Sequence, residues 1–181
     1  MKYLINSARL FAIAGNVIAG QPSPVTTVEQ VDLNRYCGTW YEIARLPNRF
    51  QSDCAGNTTA EYSMLSDGRI RVVNRCGKSD GGIITAEGIA RKKDRNGSNS
   101  KLEVRFAPSW LGWLPMVWGS YWIIDLAPDY SYAAVGDPSR KYLWILSRTK
   151  SLDPAIREVI VNRLKLMGFD TDKLIYTHQE Q

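Results

Sequence analysis

Apolar and polar positions alternate in short runs from residue 38 onward. In GTWYEIARLP, residues 38–47, Trp40, Glu42 and Ala44 alternate with Tyr41, Ile43 and Arg45, the period-two pattern of a strand with two unlike faces. Runs of this kind, or of β-rich composition, recur at about 38–46, 57–65, 69–76, 83–92, 101–107, 119–126, 131–136 and 141–148, each bounded by turn residues. The second and third are joined through Asp67-Gly68, a hairpin dipeptide. The sixth and seventh are joined by Ala127, Pro128 and Asp129. Connections this short force antiparallel neighbours.

The period then changes. Asp153 and Pro154 supply an N-cap and a first helical residue, Gly168 a stop, and Ile156, Val159, Ile160, Leu164 and Met167 fall on one stripe between them. One helix is predicted, packed outside the sheet, followed by a short strand at 173–177. One helix cannot cover the edges of eight strands, whereas closure removes them. The predicted fold class is therefore all-β: an eight-stranded antiparallel up-and-down barrel with one C-terminal helix outside. Such a barrel either fills with side chains or holds one small ligand.

The first twenty residues, MKYLINSARLFAIAGNVIAG, carry Lys2 and Arg9, an apolar run from Leu10 to Ala19 broken by Asn16, and no acid. That run is too short to span a bilayer and matches a secretory h-region. The expected organisation is a cleavable signal peptide at 1–20, a flexible segment at 21–30 and one domain at 31–181. Loss of residues 1–20 would leave 21 basic against 18 acidic side chains. That mild excess is scattered along the chain, which argues against a nucleic-acid footprint. Export would place Cys37, Cys54 and Cys76 in an oxidising compartment.

Gly38-x-Trp40 at the start of the first strand resembles the first signature of the lipocalins, and Arg148 in YLWILSRT matches the arginine that ends their last barrel strand. The runs VDLNRYCGTWYEIARLPNRF and GDPSRKYLWILSRT resemble in particular the bacterial outer-membrane lipocalins and apolipoprotein D, over about residues 31–176. The resemblance implies a calyx whose closed end is plugged by the arginine lying across the tryptophan, so Gly38, Trp40 and Arg148 are the expected barrel-closing residues. Two positions depart from the family pattern. GDPSR at 136–140 replaces the usual second-signature turn, and Cys37 stands where relatives more often carry an apolar residue.

With Trp40 and Arg148 inward, alternation assigns the remaining inner wall. The expected ligand-binding residues are Ala44, Ala60, Tyr62, Val72, Asn74, Ala86, Gly88, Val104, Phe106, Tyr121, Ile123, Val135, Tyr142 and Trp144. Small residues beside rigid aromatics suit a cavity more than a solid core. Glu42 is expected near the closed end, paired with Arg148 or a tyrosine hydroxyl. Burying about twelve methylenes would contribute ~10 kcal/mol gross, enough for micromolar affinity after association costs. The expected partner is a small hydrophobic ligand: a fatty acid, lysophospholipid or similar lipid, carried or stored in the barrel for envelope maintenance.

The loop 108–119, PSWLGWLPMVWG, brings Trp110, Leu111, Trp113, Leu114 and Trp118 to the mouth as a lid, a core cap or a peripheral membrane contact. Cys54 in the first mouth loop and Cys76 at the mouth end of the third strand are expected to pair, leaving Cys37 free. The chain's one histidine is His178, and no phosphate-cradling glycine loop or nucleophile triad is present. No catalytic residue, metal or cofactor is expected, and the chain reads as a binder, monomeric or weakly dimeric. Two alternatives stand beside that reading: a filled barrel acting as a protein- or membrane-interaction module, and a Cys-dependent lipid isomerase.

Overall fold

The computed structural model describes residues 24–94, 96–106 and 118–180. Eight strands run in sequence: β1 (Gly38–Arg45), β2 (Gly56–Met64), β3 (Ile70–Gly77), β4 (Ile83–Lys92), β5 (Lys101–Arg105), β6 (Gly119–Leu126), β7 (Tyr132–Gly136) and β8 (Leu143–Ser147). Each pairs antiparallel with the next, and β1 pairs with both β2 and β8, which closes the sheet into a barrel. Helix α1 (Leu33–Tyr36) precedes the barrel; helix α2 (Pro154–Leu166) and a two-residue strand β9 (Ile175–Tyr176) follow it. Each strand boundary lies within two residues of its expectation.

α1 was not foreshadowed by the alternation. Asp32 caps it, its carboxylate accepting from the amides of Asn34 and Arg35. Its C-terminal carbonyls are then taken by Arg148, whose Nη2 donates to Arg35, Tyr36 and Cys37 at 2.7, 3.1 and 3.0 Å and whose Nη1 donates to Thr39 at 2.9 Å. A cation at a helix C-terminus meets the negative end of the helix dipole. The same guanidinium lies 3.8 Å over the ring of Trp40, whose Nε1 donates to Tyr36 O at 2.8 Å. Trp40 is fully buried. Trp40 and Arg148 thus pack together at this end of the barrel.

Two cores share the wall. The inner one contains Tyr36, Trp40, Tyr62, Val72, Ile123 and Leu146, among others. The outer one joins Ile43, Ala44, Ile124, Ala134 and Ile145 of the barrel to Ile160 and Leu164 of α2 and to Phe169. The expected helix stripe is corrected: Ile156 and Val159 are 41% and 49% exposed. Contact runs along Ile160 and Leu164 and turns toward Val161 and Met167, leaving the Val159 flank in solvent.

Residues 1–20, read as a signal peptide, lie outside the described residues. Part of the segment expected to be flexible is instead bound. Val25 is buried, the amide of Val28 donates to Ile123 O at 3.0 Å, and Ser98 Oγ donates to Glu29 O at 2.6 Å. Backbone groups that the strand ladders leave open hold this segment against the barrel.

At the other end the C-terminal tail closes a seam. β1 pairs with β2 through Gly38–Tyr41 and with β9 through Ala44 and Arg45. Beyond β9, Asn57 N of β2 donates to His178 O at 2.8 Å, and Gln179 Nε2 donates to both Glu42 O and Thr58 O, at 2.9 and 2.8 Å. The tail therefore fills the gap where β1 and β2 part.

Gly38 has φ +98°, and a Cβ there would stand 3.3 Å from Arg148 Nη1. Gly68, φ +79°, faces open space. Gly38→Ala should cost about 2–3 kcal/mol, combining left-handed strain with displacement of the arginine, and Gly68→Ala only about 1 kcal/mol. Denaturant unfolding of both variants, read as midpoint shifts at constant slope, measures the difference.

Candidate functional site

The inner wall divides by height. Its lower half is solid: Tyr62, Val72, Tyr121, Ile123 and Val135, all expected to line a ligand, pack with Trp40, Tyr36 and Leu146 and are at most 9% exposed. Tyr121 hydroxyl sits 2.8 Å from the hydroxyls of both Tyr36 and Tyr62, so three phenols satisfy one another inside the barrel. Burial pushes the Tyr36 and Tyr121 phenols well above their ordinary range and the Tyr62 phenol up to about 12. These groups form the floor.

Above it, β1 breaks its alternation. Glu42 pairs with Leu146 and Ala44 with Ile145, a register shift that places a bulge between them. Ala44, expected on the inner wall, packs instead in the outer core beneath α2, and Arg45 turns inward opposite Trp144. A bulge adds one residue to one strand, so every side chain beyond it changes face. The expected partner of Glu42 is corrected for the same reason. Arg45 Nη1 donates to Glu42 Oε1 at 3.0 Å, both side chains being nearly fully buried, while Arg148 is committed to α1. Gln51, from the first mouth loop, donates to Glu42 Oε2 at 2.6 Å and accepts from Trp144 Nε1 at 2.8 Å. Thr177 of the tail donates to the same carboxylate.

The opposite wall is sparse. Ala60, Asn74 and Ala86 stand side by side across β2, β3 and β4, and Gly88 lies one inward position below Ala86. A Cβ on Gly88 would meet the backbone oxygen of Arg105 at 2.5 Å and the Phe106 ring at 2.7 Å, so only glycine lets the end of β5 and that ring lie this close to β4. Val104 packs on the floor, whereas Phe106 is 43% exposed and Ala86 is also exposed, although both face inward. Among the described residues, then, these inward positions are not covered by packing as the floor is. Tyr142 and Trp144 stack at 6.0 Å on the rim, with Phe50 against Tyr142.

Cys54 and Cys76 are joined, with Cα atoms 5.6 Å apart, tying the first mouth loop to β3. Cys37 is free at the closed end, and burial pushes its thiol up, away from the reactive thiolate. Trp110, Leu111, Trp113 and Leu114 lie outside the described residues. Trp118 is described, and it is pinned: the guanidinium groups of Arg91 and Arg105 lie 3.9 and 5.0 Å from its ring. Among the described residues no cluster of histidine, cysteine or carboxylate groups could hold a metal, and no helix is long and apolar enough to cross a membrane.

Residues 31–179 match the family model described as a lipocalin-like domain. The chain belongs to the lipocalin family. Temperature-induced lipocalin-1 of Arabidopsis thaliana is 40% identical over 84% of this chain and 81% of its own length. The outer membrane lipoprotein Blc of Vibrio cholerae is 37% identical over 94% and 96%, and apolipoprotein D of Mus musculus 33% identical over 99% and 94%. Insecticyanin of the tobacco hornworm Manduca sexta shares the fold, with a TM-score of 0.68 at 24% identity over 90% of this chain and 88% of that one. Lipocalins are in general binders of small hydrophobic molecules.

Of the residues this lipocalin brings to its interior, Tyr36, Arg45, Gln51 and Thr177 escape an alternation argument. Tyr36 precedes the first strand, Arg45 lies past the bulge, and Gln51 and Thr177 reach in from a loop and the tail. The signal for Arg45 was its pairing distance: an inward acid three residues before an arginine needs a partner.

The tyrosine floor gives this lipocalin an alkaline limit. In the unfolded chain phenols lose their protons near pH 10; in the fold they keep them to higher pH, Tyr62 to about 12. Between those values the unfolded state binds fewer protons, so stability falls as pH rises, by ~1.4 kcal/mol per unit for each phenol, and is unaffected below about pH 9. Tyr36→Phe and Tyr62→Phe should each remove one such increment from the slope, measured by urea unfolding across pH 8 to 11.5.

Proposed function

We propose that this lipocalin binds a small hydrophobic ligand of the fatty-acyl type in the upper half of its barrel and carries or stores it outside the cytoplasm. The observation that supports the site is the exposure of inward-facing Ala86 and Phe106 above a closed floor. Ala60, Gly88 and Val104 supply the rest of an apolar wall, and Trp144 with Tyr142 a rigid aromatic flank for a chain. Each methylene transferred there contributes ~0.8 kcal/mol, so affinity grows with chain length until the floor is reached.

Export is supported by the h-region pattern of residues 1–20 and by the Cys54–Cys76 disulfide, a bond that persists in oxidising compartments. The likeness to a protein named as an outer membrane lipoprotein supports an envelope role. Binding without catalysis is supported by the position of Cys37, at the closed end, on the far side of the Trp40 plug from the open half.

Native mass spectrometry of the purified protein should reveal co-purified acyl lipid. Ala86→Trp, which fills the open half without touching the floor, should weaken a fluorescent fatty-acyl probe at least about tenfold, roughly 1.4 kcal/mol. Its melting temperature should stay within a few degrees of the parent. Unchanged binding by that variant would place the ligand elsewhere.

A further inference from the structure

The barrel covers only one side of α2. Ile160 and Leu164 seat the helix on the outer core, while Ile156, Val159 and Leu166 stay 41%, 49% and 83% exposed. With Arg163 these residues fall at i, i+3, i+7 and i+10, the spacing of a helix–helix seam, about 15 Å long at 1.5 Å per residue. The stripe lies on the β6 side of the helix, because Arg163 within it donates to both carboxylate oxygens of Asp125, at 3.3 and 3.1 Å. Single exposed apolar residues need no explanation, whereas a line of them at seam spacing marks a contact surface.

The stripe matches a second copy of itself. Ile156 and Leu166 each stand five residues from Val161, and Val159 and Arg163 each stand two. A two-fold axis at the level of Val161 therefore sets Ile156 of one copy against Leu166 of the other, and Val159 against the aliphatic stem of Arg163. Charge permits this pairing. Arg163 is the one charged side chain in the stripe and Asp125 already neutralises it, while the shoulder toward solvent carries Ala155 and Asn162. Antiparallel packing opposes each arginine to a valine; parallel packing would oppose arginine to arginine. An anionic bilayer fits less well, since Lys165 beside the stripe is also paired, with Asp172 at 3.6 Å.

Size sets the strength. One helix against one helix over this length stays below the roughly 1,200 Å² that stable interfaces bury, so half-association falls at about 10–100 µM. We infer that α2 is a self-association surface, pairing antiparallel with α2 of a second copy in a weak two-fold dimer. The contact lies outside the barrel wall and uses no inward residue, so it stands independently of the lipid-binding reading.

Sedimentation velocity of the purified protein from about 2 to 200 µM should show monomer passing to dimer. Leu166→Glu should raise the half-association concentration at least about tenfold. Its melting temperature should match the parent's, because the residue is 83% exposed. Ile83→Glu, at a 74% exposed position on the mouth end of β4, should leave association unchanged. In a Cys37→Ser background, Ile156→Cys and Leu166→Cys chains should join through a short thiol cross-linker when mixed and not when treated singly. A parent that stays monomeric at 200 µM would overturn the inference. So would association lost in Ile83→Glu and kept in Leu166→Glu, or either cysteine variant cross-linking alone as fast as the mixture. Binding of the parent, and not of Leu166→Glu, to phosphatidylglycerol vesicles without self-association would overturn it in favour of a membrane.

Discussion

An antiparallel sheet closes into a barrel only if its first strand hydrogen-bonds along both edges, and in this chain that demand falls on β1. One edge is covered by β8 from Tyr41 to Arg45. The other is covered by β2 for four residues and then by the C-terminal strand, which enters where β2 departs. The local peculiarities of β1 follow from this double duty. Its first residue is a left-handed glycine packed on Arg148, its third a tryptophan lying under that guanidinium, and its fifth and seventh flank the face reversal of a bulge. The opening stretch of sequence carries more of the architecture than any other because one strand joins two seams.

The interior is a compromise between closure and capacity. An eight-stranded barrel is barely wider than its own side chains, so space for a guest must be made by small residues on one wall and kept by bulk below. Trp40, Tyr36, Tyr62 and Tyr121 supply that bulk, and their hydroxyls pair with one another so that the floor costs no unpaired polar group. Ala60, Ala86 and Gly88 are the small residues of the facing wall. The expectation of a cavity lined by every inward residue therefore merges two populations, since Tyr62, Val72, Tyr121, Ile123 and Val135 lie in the floor.

Period two and turn chemistry made the strands, their order and the disulfide legible, because a strand half in the core and half in solvent must alternate and a two-residue turn admits one pairing. Alternation fails where a strand gains a residue. The Glu42–Ala44 bulge leaves no mark in composition, and it exchanged Ala44 for Arg45 on the inner wall. Alternation is equally silent on residues that reach the interior from outside the strands. Gln51 and Thr177 are ordinary polar residues in a loop and a tail until tertiary structure carries them to Glu42. The helix stripe failed in part because a stripe of five apolar residues does not say which flank the sheet will cover.

The buried Glu42–Arg45 pair is the least expected feature of this barrel, since an ion pair of this kind seldom repays its desolvation by attraction alone. Its place in the chain explains it better than its energy. The carboxylate gathers bonds from β1 itself, from Gln51 of the first loop and from Thr177 of the tail, and Arg45 adds Gln51 O at 3.3 Å. The following loop and the far C-terminal tail are thereby held to one point on the strand that closes both seams. A pair of leucines could fill the same volume, but apolar contact is non-directional and would let the loop and the tail slide. Directional bonds to a single buried acid fix the first loop and the tail on β1, and the acid and its arginine neutralise each other.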